Sequence, residues 1–490
     1  MKTKNTDKAI ICFMMLMLTI SCAKDLYKDD EEGNEGEPPF IYLTYLYPFE
    51  NEVQNAVAEI VIQTDREISV NDITSEIPYL KFNKSWLLML TQDDCKHATY
   101  CRTWAAINGK PIASSNLSST TPGALDLYYD AAQLEAGDLP PTAIPSSKTL
   151  GSTDGNGNEV RFSITTTLSP ESKWMNAKTD VNPGFTKNYY RFYMKSGLIW
   201  DNVIEMLNYG TGIAFHDVSA AEVNDPADIR KHYTIAQDSI LRRLDGRGCK
   251  MLAEPNGNKA YVTAARQYSD IQTMVAQNGT EKLYPFKVTD DLKGKLLHRV
   301  FSTPDNLKEI IKSQLQRPHS EREAVHIGVH ATDDSWIELL KWVNNNYGKD
   351  GDDSVWFPSQ EEYYEYNYYR IHGRINIEQV DKNTIKLIVK LPSEKYFYYP
   401  SISVNLMGIK KKEIMSVSSN NIVTGLSYGD YNNGLTVNID CRKHLQDHAE
   451  HFVEQYEKDR SNKTKKADAL YFTNMLKESP EKIKLLKRVE

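Results

Sequence analysis

The chain has 490 residues, a net charge of −8 and 40% apolar residues. That length is too great for a single core, and the composition excludes an intrinsically disordered chain. The acidic balance, with no dense basic stripe, argues against a nucleic-acid binder, and six cysteines in so long a chain argue against a fold resting on disulfides.

The first segment reads as a targeting sequence. Lys2, Lys4 and Lys8 form a basic start, and Ala9 to Ile20 is an apolar run too short to span a bilayer. Leu18-Thr19-Ile20-Ser21-Cys22 resembles a bacterial lipobox, with Thr19 where an aliphatic residue is usual. The expectation is a lipoprotein signal peptide over 1–21 and a lipidated Cys22. Residues 23–37 carry seven acidic residues, two lysines and two glycines, so 22–39 reads as a solvated acidic tether. It resembles the acidic signal that sends some Gram-negative lipoproteins to the cell surface. The expected location is therefore the outer membrane, held by the lipid alone.

A β element is expected over 40–80, around the alternating run Val57–Ile62. From Lys81 to Arg370, short apolar runs alternate with helical patterns. Strands are predicted at Trp86–Thr91, Gly212–His216, Lys250–Ala253, Ile271–Val275, Ala324–His330 and Ser354–Phe357. Helices are predicted at Trp200–Asn208, Pro226–Leu244, Lys259–Tyr268, Asp333–Asn346 and Gln360–Tyr369, with Asp225-Pro226 and Ser359 as helix starts. The alternation implies a parallel sheet or barrel. About 100 residues, 96–197, interrupt it as a long insertion. They hold aromatic and apolar anchors (Tyr128, Tyr129, Leu134, Phe162, Tyr189, Tyr190, Phe192, Tyr193) and a hairpin turn at Asp154-Gly155-Asn156-Gly157. The tyrosines of 363–369 are expected to pack. Residues 371–443 read as a small β-sandwich and 444–490 as a helical tail.

The chemistry gathers at strand ends. The run Leu87-Leu88-Met89-Leu90-Thr91-Gln92 empties onto Asp93-Asp94. Two adjacent carboxylates do not both ionise cheaply unless a cation or proton is shared, so one can bind a metal while the other acts as a base. A loop pair capping the next helix is the plainer alternative. Three further motifs follow in order. Gly212–His216 is a strand ending on histidine, and Ala253-Glu254-Pro255-Asn256-Gly257 is a strand ending in a tight turn. Val325–His330 again ends on histidine, with either His326 or His330 in the cleft.

This order resembles the NodB-homology polysaccharide deacetylases, carbohydrate esterase family four, over roughly residues 81–370. The resemblance implies a distorted (β/α)7 barrel flanked by the small β elements, the sandwich-like domain and the helical tail. It implies Asp93 as base, Asp94 and His216 as ligands of a divalent metal (zinc, cobalt or nickel), and His330 as the catalytic acid. Pro255, Asn256 and Gly257 would lie beside a glycan substrate. The chain carries no clear D-x-x-D-W motif, and it departs from the family at three further places. Ala220 stands where a second metal histidine belongs, Cys95 where glycine follows the aspartates, and Ala253-Glu254 where the third motif carries arginine. His97, Asp217 or Glu222 could replace the missing ligand.

The expected activity is metal-assisted hydrolysis of acetyl groups on an envelope or surface glycan. The alternative is a catalytically degenerate barrel that serves as a non-enzymatic glycan-binding or assembly lipoprotein.

Overall fold

Trp86–Gln92 is buried at every position, as expected of a strand covered on both faces of a parallel sheet. In a computed structural model it is the third of eighteen strands among the described residues. The structure describes residues 45–49, 53, 55–110, 112, 148–176, 197–217, 223–278 and 281–490, of which Leu46–Glu490 belong to one compact unit. The signal peptide, Cys22, the tether, Ala220 and Glu222 lie outside the described residues. So do Tyr128, Tyr129, Leu134, Tyr189, Tyr190, Phe192 and Tyr193.

In chain order the strands are β1 (Ala56–Thr64), β2 (Thr74–Glu76), β3 (Trp86–Gln92), β4 (Gly151–Thr153), β5 (Glu159–Arg161), β6 (Thr165–Leu168), β7 (Gly212–Phe215), β8 (Met251–Ala253) and β9 (Thr273–Ala276). There follow β10 (Leu296–His298), β11 (Val325–Val329), β12 (Val355–Trp356), β13 (Arg374–Asp381), β14 (Thr384–Leu391), β15 (Ser401–Met407), β16 (Ile414–Ser419), β17 (Gly425–Tyr431) and β18 (Gly434–Asp440).

Seven parallel strands stand side by side in the order β10-β9-β8-β7-β6-β3-β11, with β12 paired to the start of β3. A parallel bridge between Val300 and Ile327 joins the two remaining edges. There the Val300 N–H donates to the His326 carbonyl at 2.8 Å and the Gly328 N–H donates to the Val300 carbonyl at 2.9 Å. The result is a nearly closed, distorted (β/α)7 barrel. Its helices include Trp200–Asn208, Pro226–Arg243, Lys259–Arg266, Pro304–Leu315, Asp334–Tyr347 and Gln360–His372. Asp225 and Ser359 cap their helices through side-chain hydrogen bonds, as their sequence positions predict.

Two barrel strands were not predicted. β6 lies inside the stretch 96–197 read as an insertion, so that stretch contributes a staff of the barrel. Its Thr165-Thr166-Thr167 carries no apolar signal. It is nonetheless fully buried, because its hydroxyls are used: Thr165 Oγ1 accepts from Gln360 N–H and Thr167 Oγ1 from Cys95 N–H, both at 3.1 Å. β10 is too short to show a period. The hairpin turn at 154–157 does form between β4 and β5, with Gly155 and Gly157 at positive φ.

Beyond the barrel is a sandwich of two antiparallel sheets, β13-β14-β1-β16 and β17-β18-β15-β2. The N-terminal strand β1 lies inside the first sheet, in register from Ala56↔Leu391 to Gln63↔Thr384. Strands β1 and β2 therefore complete the C-terminal sandwich, rather than forming a β element of their own. Tyr363, Tyr364, Tyr366 and Tyr369 are buried in the core that the sandwich shares with the barrel, which is the packing role expected of them. Below the strands lies a fully buried ionic group. Arg247 meets Glu361 at 2.6 Å, and Lys250 meets Glu365 at 2.7 Å and Glu361 at 3.3 Å. The tail helices Leu445–Lys458, Lys463–Asn474 and Pro480–Val489 share one apolar cluster. Buried Asp468 ties them to the barrel through Arg161 (2.6 Å), Lys110 and the Tyr209 hydroxyl (2.9 Å). Among the described residues no helix is long and apolar enough to cross a membrane.

Candidate active site

The end of β3 separates the two aspartates. The Asp93 N–H still donates to the Val329 carbonyl at 2.7 Å, keeping the pairing with β11. The next two residues turn into the left-handed region, Asp94 at φ +62° and Cys95 at φ +49°. Neither is glycine, so the turn stores backbone strain. The hydrogen bond from Cys95 N–H to Thr167 secures it. The result is two adjacent carboxylates in unlike settings, Asp93 buried and Asp94 half exposed.

Asp93 Oδ1 accepts a 2.7 Å hydrogen bond from Nη1 of buried Arg299, just past β10. Arg299 Nη2 also donates to the Glu254 carbonyl at 3.0 Å. The neighbouring Ala253 carbonyl lies 2.8 Å from His216 Nδ1. A carbonyl can only accept, so Nδ1 carries a proton. His216 Nε2 therefore faces the carboxylates, 3.4 Å from Asp94 Oδ1 and 4.0 Å from Asp93 Oδ2. The main chain of the third motif thus orients both a cation beside Asp93 and a histidine beside Asp94.

Burial lowers the His216 pKa, but the charge of Asp93 and the bond to Asp94 outweigh it, and the net direction is upward. His216 is in turn the largest influence on Asp94 and holds its carboxyl below the usual range despite partial burial. Lys96 Nζ, 3.6 Å from Asp94 Oδ2, acts in the same direction.

An imidazole nitrogen aimed at two carboxylates calls for either a proton or a cation between them. Asp94 and His216 therefore fit a divalent ion, with the other imidazole nitrogen fixed by a carbonyl as metal-binding histidines commonly are. They supply two donors where catalytic zinc usually takes three. Among the described residues no group of three or more His, Cys, Asp or Glu is placed to hold a metal, so neither His97 nor Asp217 completes one. His97 is buried and stacks on Tyr100 at 6.2 Å.

The two histidines of β11 separate clearly. His326 is buried with Nε2 3.0 Å from Thr91 Oγ1, and burial, with the charges of Arg299 and His298, pushes its pKa down to about 3. His330 is exposed at the strand end, its ring 5.2 Å from that of Phe301. Only His330 is at the open rim. Pro255 is buried, while Asn256 and Gly257 are exposed, with φ of +51° and +74°, so the third motif is a tight turn on the same rim.

Arg299 and Phe301 are the residues that sequence reasoning missed. The signal for Arg299 was indirect: a buried carboxylate in a chain whose third motif lacks arginine needs a cation from elsewhere. A cavity of about 150 Å³ lies apart from these residues, lined by Tyr47, Arg161, Tyr209, Tyr399 and Arg442 among others. Its arginines are already paired with Asp468 and Asp440.

A family model described as "Putative polysaccharide deacetylase" matches residues 58–490, which takes in the sandwich and the helical tail as well as the barrel. No curated protein matches the chain.

Proposed function

This chain belongs to the polysaccharide deacetylase family, and on that premise we propose that it hydrolyses acetyl groups from a glycan at the strand ends of its barrel. The observation that carries the proposal is the differently partnered pair: Asp93 against Arg299 and Asp94 against His216, with His330 on the same rim.

Asp94 and His216 would hold a zinc, cobalt or nickel ion, which when bound polarises the acetyl carbonyl. Asp93 takes a proton from the attacking water, its Oδ1 already bonded to Arg299 and its second oxygen left for the proton. The water oxygen bonds to the acetyl carbon, and the C–N or C–O bond to the sugar breaks. His330 gives a proton to the departing amine or alcohol, and acetate is released. Pro255, Asn256 and Gly257 form the edge against which the sugar lies. A lipid on Cys22 would hold the protein at the outer membrane and cell surface. Its partners would then be glycans and, through the lipid alone, the membrane, with no nucleic acid.

One observation favours a second reading, a non-catalytic glycan-binding or assembly lipoprotein: the described residues bring together no third metal donor. Calorimetry with zinc, cobalt and nickel on the intact protein, Asp94→Ala and His216→Ala separates the two. Binding lost in both variants, with acetate release abolished in Asp93→Asn, supports the hydrolase. An intact protein that neither binds metal nor releases acetate supports the second reading.

A further inference from the structure

We infer that Phe301 is a positioning residue, whose ring sets the His330 imidazole relative to the Arg299–Asp93 pair. The roles of Asp93 and His330 rest on the deacetylase reading above; the geometry does not.

Three observations meet at this ring. Val300 is the bridge residue that closes the barrel, so its neighbours Arg299 and Phe301 project to the same side of the extended segment. Arg299 reaches Asp93 on that side. Next, the Phe301 ring contacts both partners: the Arg299 guanidinium carbon lies 5.0 Å from its centroid, and the His330 ring 5.2 Å away at an interplanar angle of 31°. Finally, the ring rests on bare backbone. A Cβ on Gly328 would lie 2.4 Å from Phe301 Cζ, so glycine one residue before the end of β11 is what admits the ring at this height.

Two other histidines near the site, His216 and His326, are held by hydrogen bonds, to the Ala253 carbonyl and to Thr91. Among the described residues His330 has no such partner, so packing on Phe301 sets its direction. A single side chain thereby spans from the proposed acid to the counter-ion of the proposed base.

The test uses full-length protein with 13C-labelled histidine, the His330 resonance assigned by His330→Gln and read at one fixed pH. Phe301→Leu removes the ring current and the contact, and Phe301→Tyr restores both. The His330 resonance should move in Phe301→Leu and return in Phe301→Tyr. Gly328→Ala, by displacing the ring, should mimic Phe301→Leu. With an acetylated glycan, kcat should fall by about tenfold to a hundredfold in Phe301→Leu with KM unchanged, as for a misplaced catalytic group, and recover in Phe301→Tyr. A folded Phe301→Leu protein with an unmoved His330 resonance overturns the inference, as does one with an unchanged kcat. If the intact protein releases no acetate, the deacetylase reading fails separately, and the His330 resonance alone decides whether Phe301 positions that ring.

Discussion

Arg299 Nη1 donates to Asp93 Oδ1 across 2.7 Å, although 206 residues separate the two in the chain. The third motif carries no arginine, yet its main chain takes part, since the second Arg299 nitrogen donates to the Glu254 carbonyl. The cation has come from the next-but-one strand end, and the turn that lacks it still orients it.

Replacing Arg299 by Met should be costly twice over. It leaves a buried carboxylate without its partner, which typically costs about 3–5 kcal/mol, and it removes the group that orients Asp93. Urea unfolding should show the first loss and acetate release the second. Arg299→Lys should recover part of each, because a single ammonium does not reproduce the fork to Asp93 and Glu254. Unchanged stability in Arg299→Met would mean that the pair contributes nothing to the fold.

Metal affinity should respond to the missing histidine. Ala220→His restores the i, i+4 pattern with His216 that the family resemblance implies. It should tighten zinc binding over the natural chain, as calorimetry would read, because a catalytic zinc site ordinarily has three protein donors. Equal affinity in the two proteins would place the third donor elsewhere.

The buried ionic group under the barrel gives a stability prediction remote from the site. Lys250 sits between Glu361 and Glu365, and Glu365 also accepts from Tyr398 N–H and Tyr399 N–H at 2.9 and 2.6 Å. Lys250→Met leaves Glu365 without a cation, while Glu361 keeps Arg247, and should destabilise by about 3–5 kcal/mol in denaturant melts. Metal affinity should be unchanged in the folded fraction.

Acid should weaken the attachment of the helical tail. Burial raises the Asp468 pKa, but Lys110 and Arg161 outweigh it, and the carboxyl is held below its ordinary value of 3.8. A folded-state pKa below the unfolded one contributes stability that is fully present above the unfolded value. That contribution is lost as pH falls through the folded value. Stability measured from pH 6 downward should therefore drop once pH passes below about 3.8. Asp468→Asn should be less stable at neutral pH and should lose less on acidification. Parallel pH profiles for the two proteins would exclude Asp468 as the source.

How far the site was legible depends on the range of each interaction. Asp93, Asp94, His216 and His330 were marked by their place after short apolar runs, and the barrel does carry all four to strand ends. The choice between His326 and His330 was not legible, because both have the same parity on β11. The hydrogen bond to Thr91 and the strand end at Val329 decide it. β6 escaped because a threonine run signals neither face of a sheet until its hydroxyls have partners. Phe301 was invisible because its meaning depends on a glycine in another strand.

The amino-acid sequence by itself determined the alternation of strands and helices, the helix starts at Asp225 and Ser359, the glycine turn at 154–157 and the residues that end the strands. These follow from periodicity and from hydrogen bonds within a few residues. Only the tertiary structure decided that Arg299 pairs with Asp93, that β1 joins the C-terminal sandwich and that Phe301 lies on Gly328. Each of these joins segments that only barrel closure or sheet formation brings together. Their partners are selected by burial and charge in three dimensions, and no local pattern records that selection.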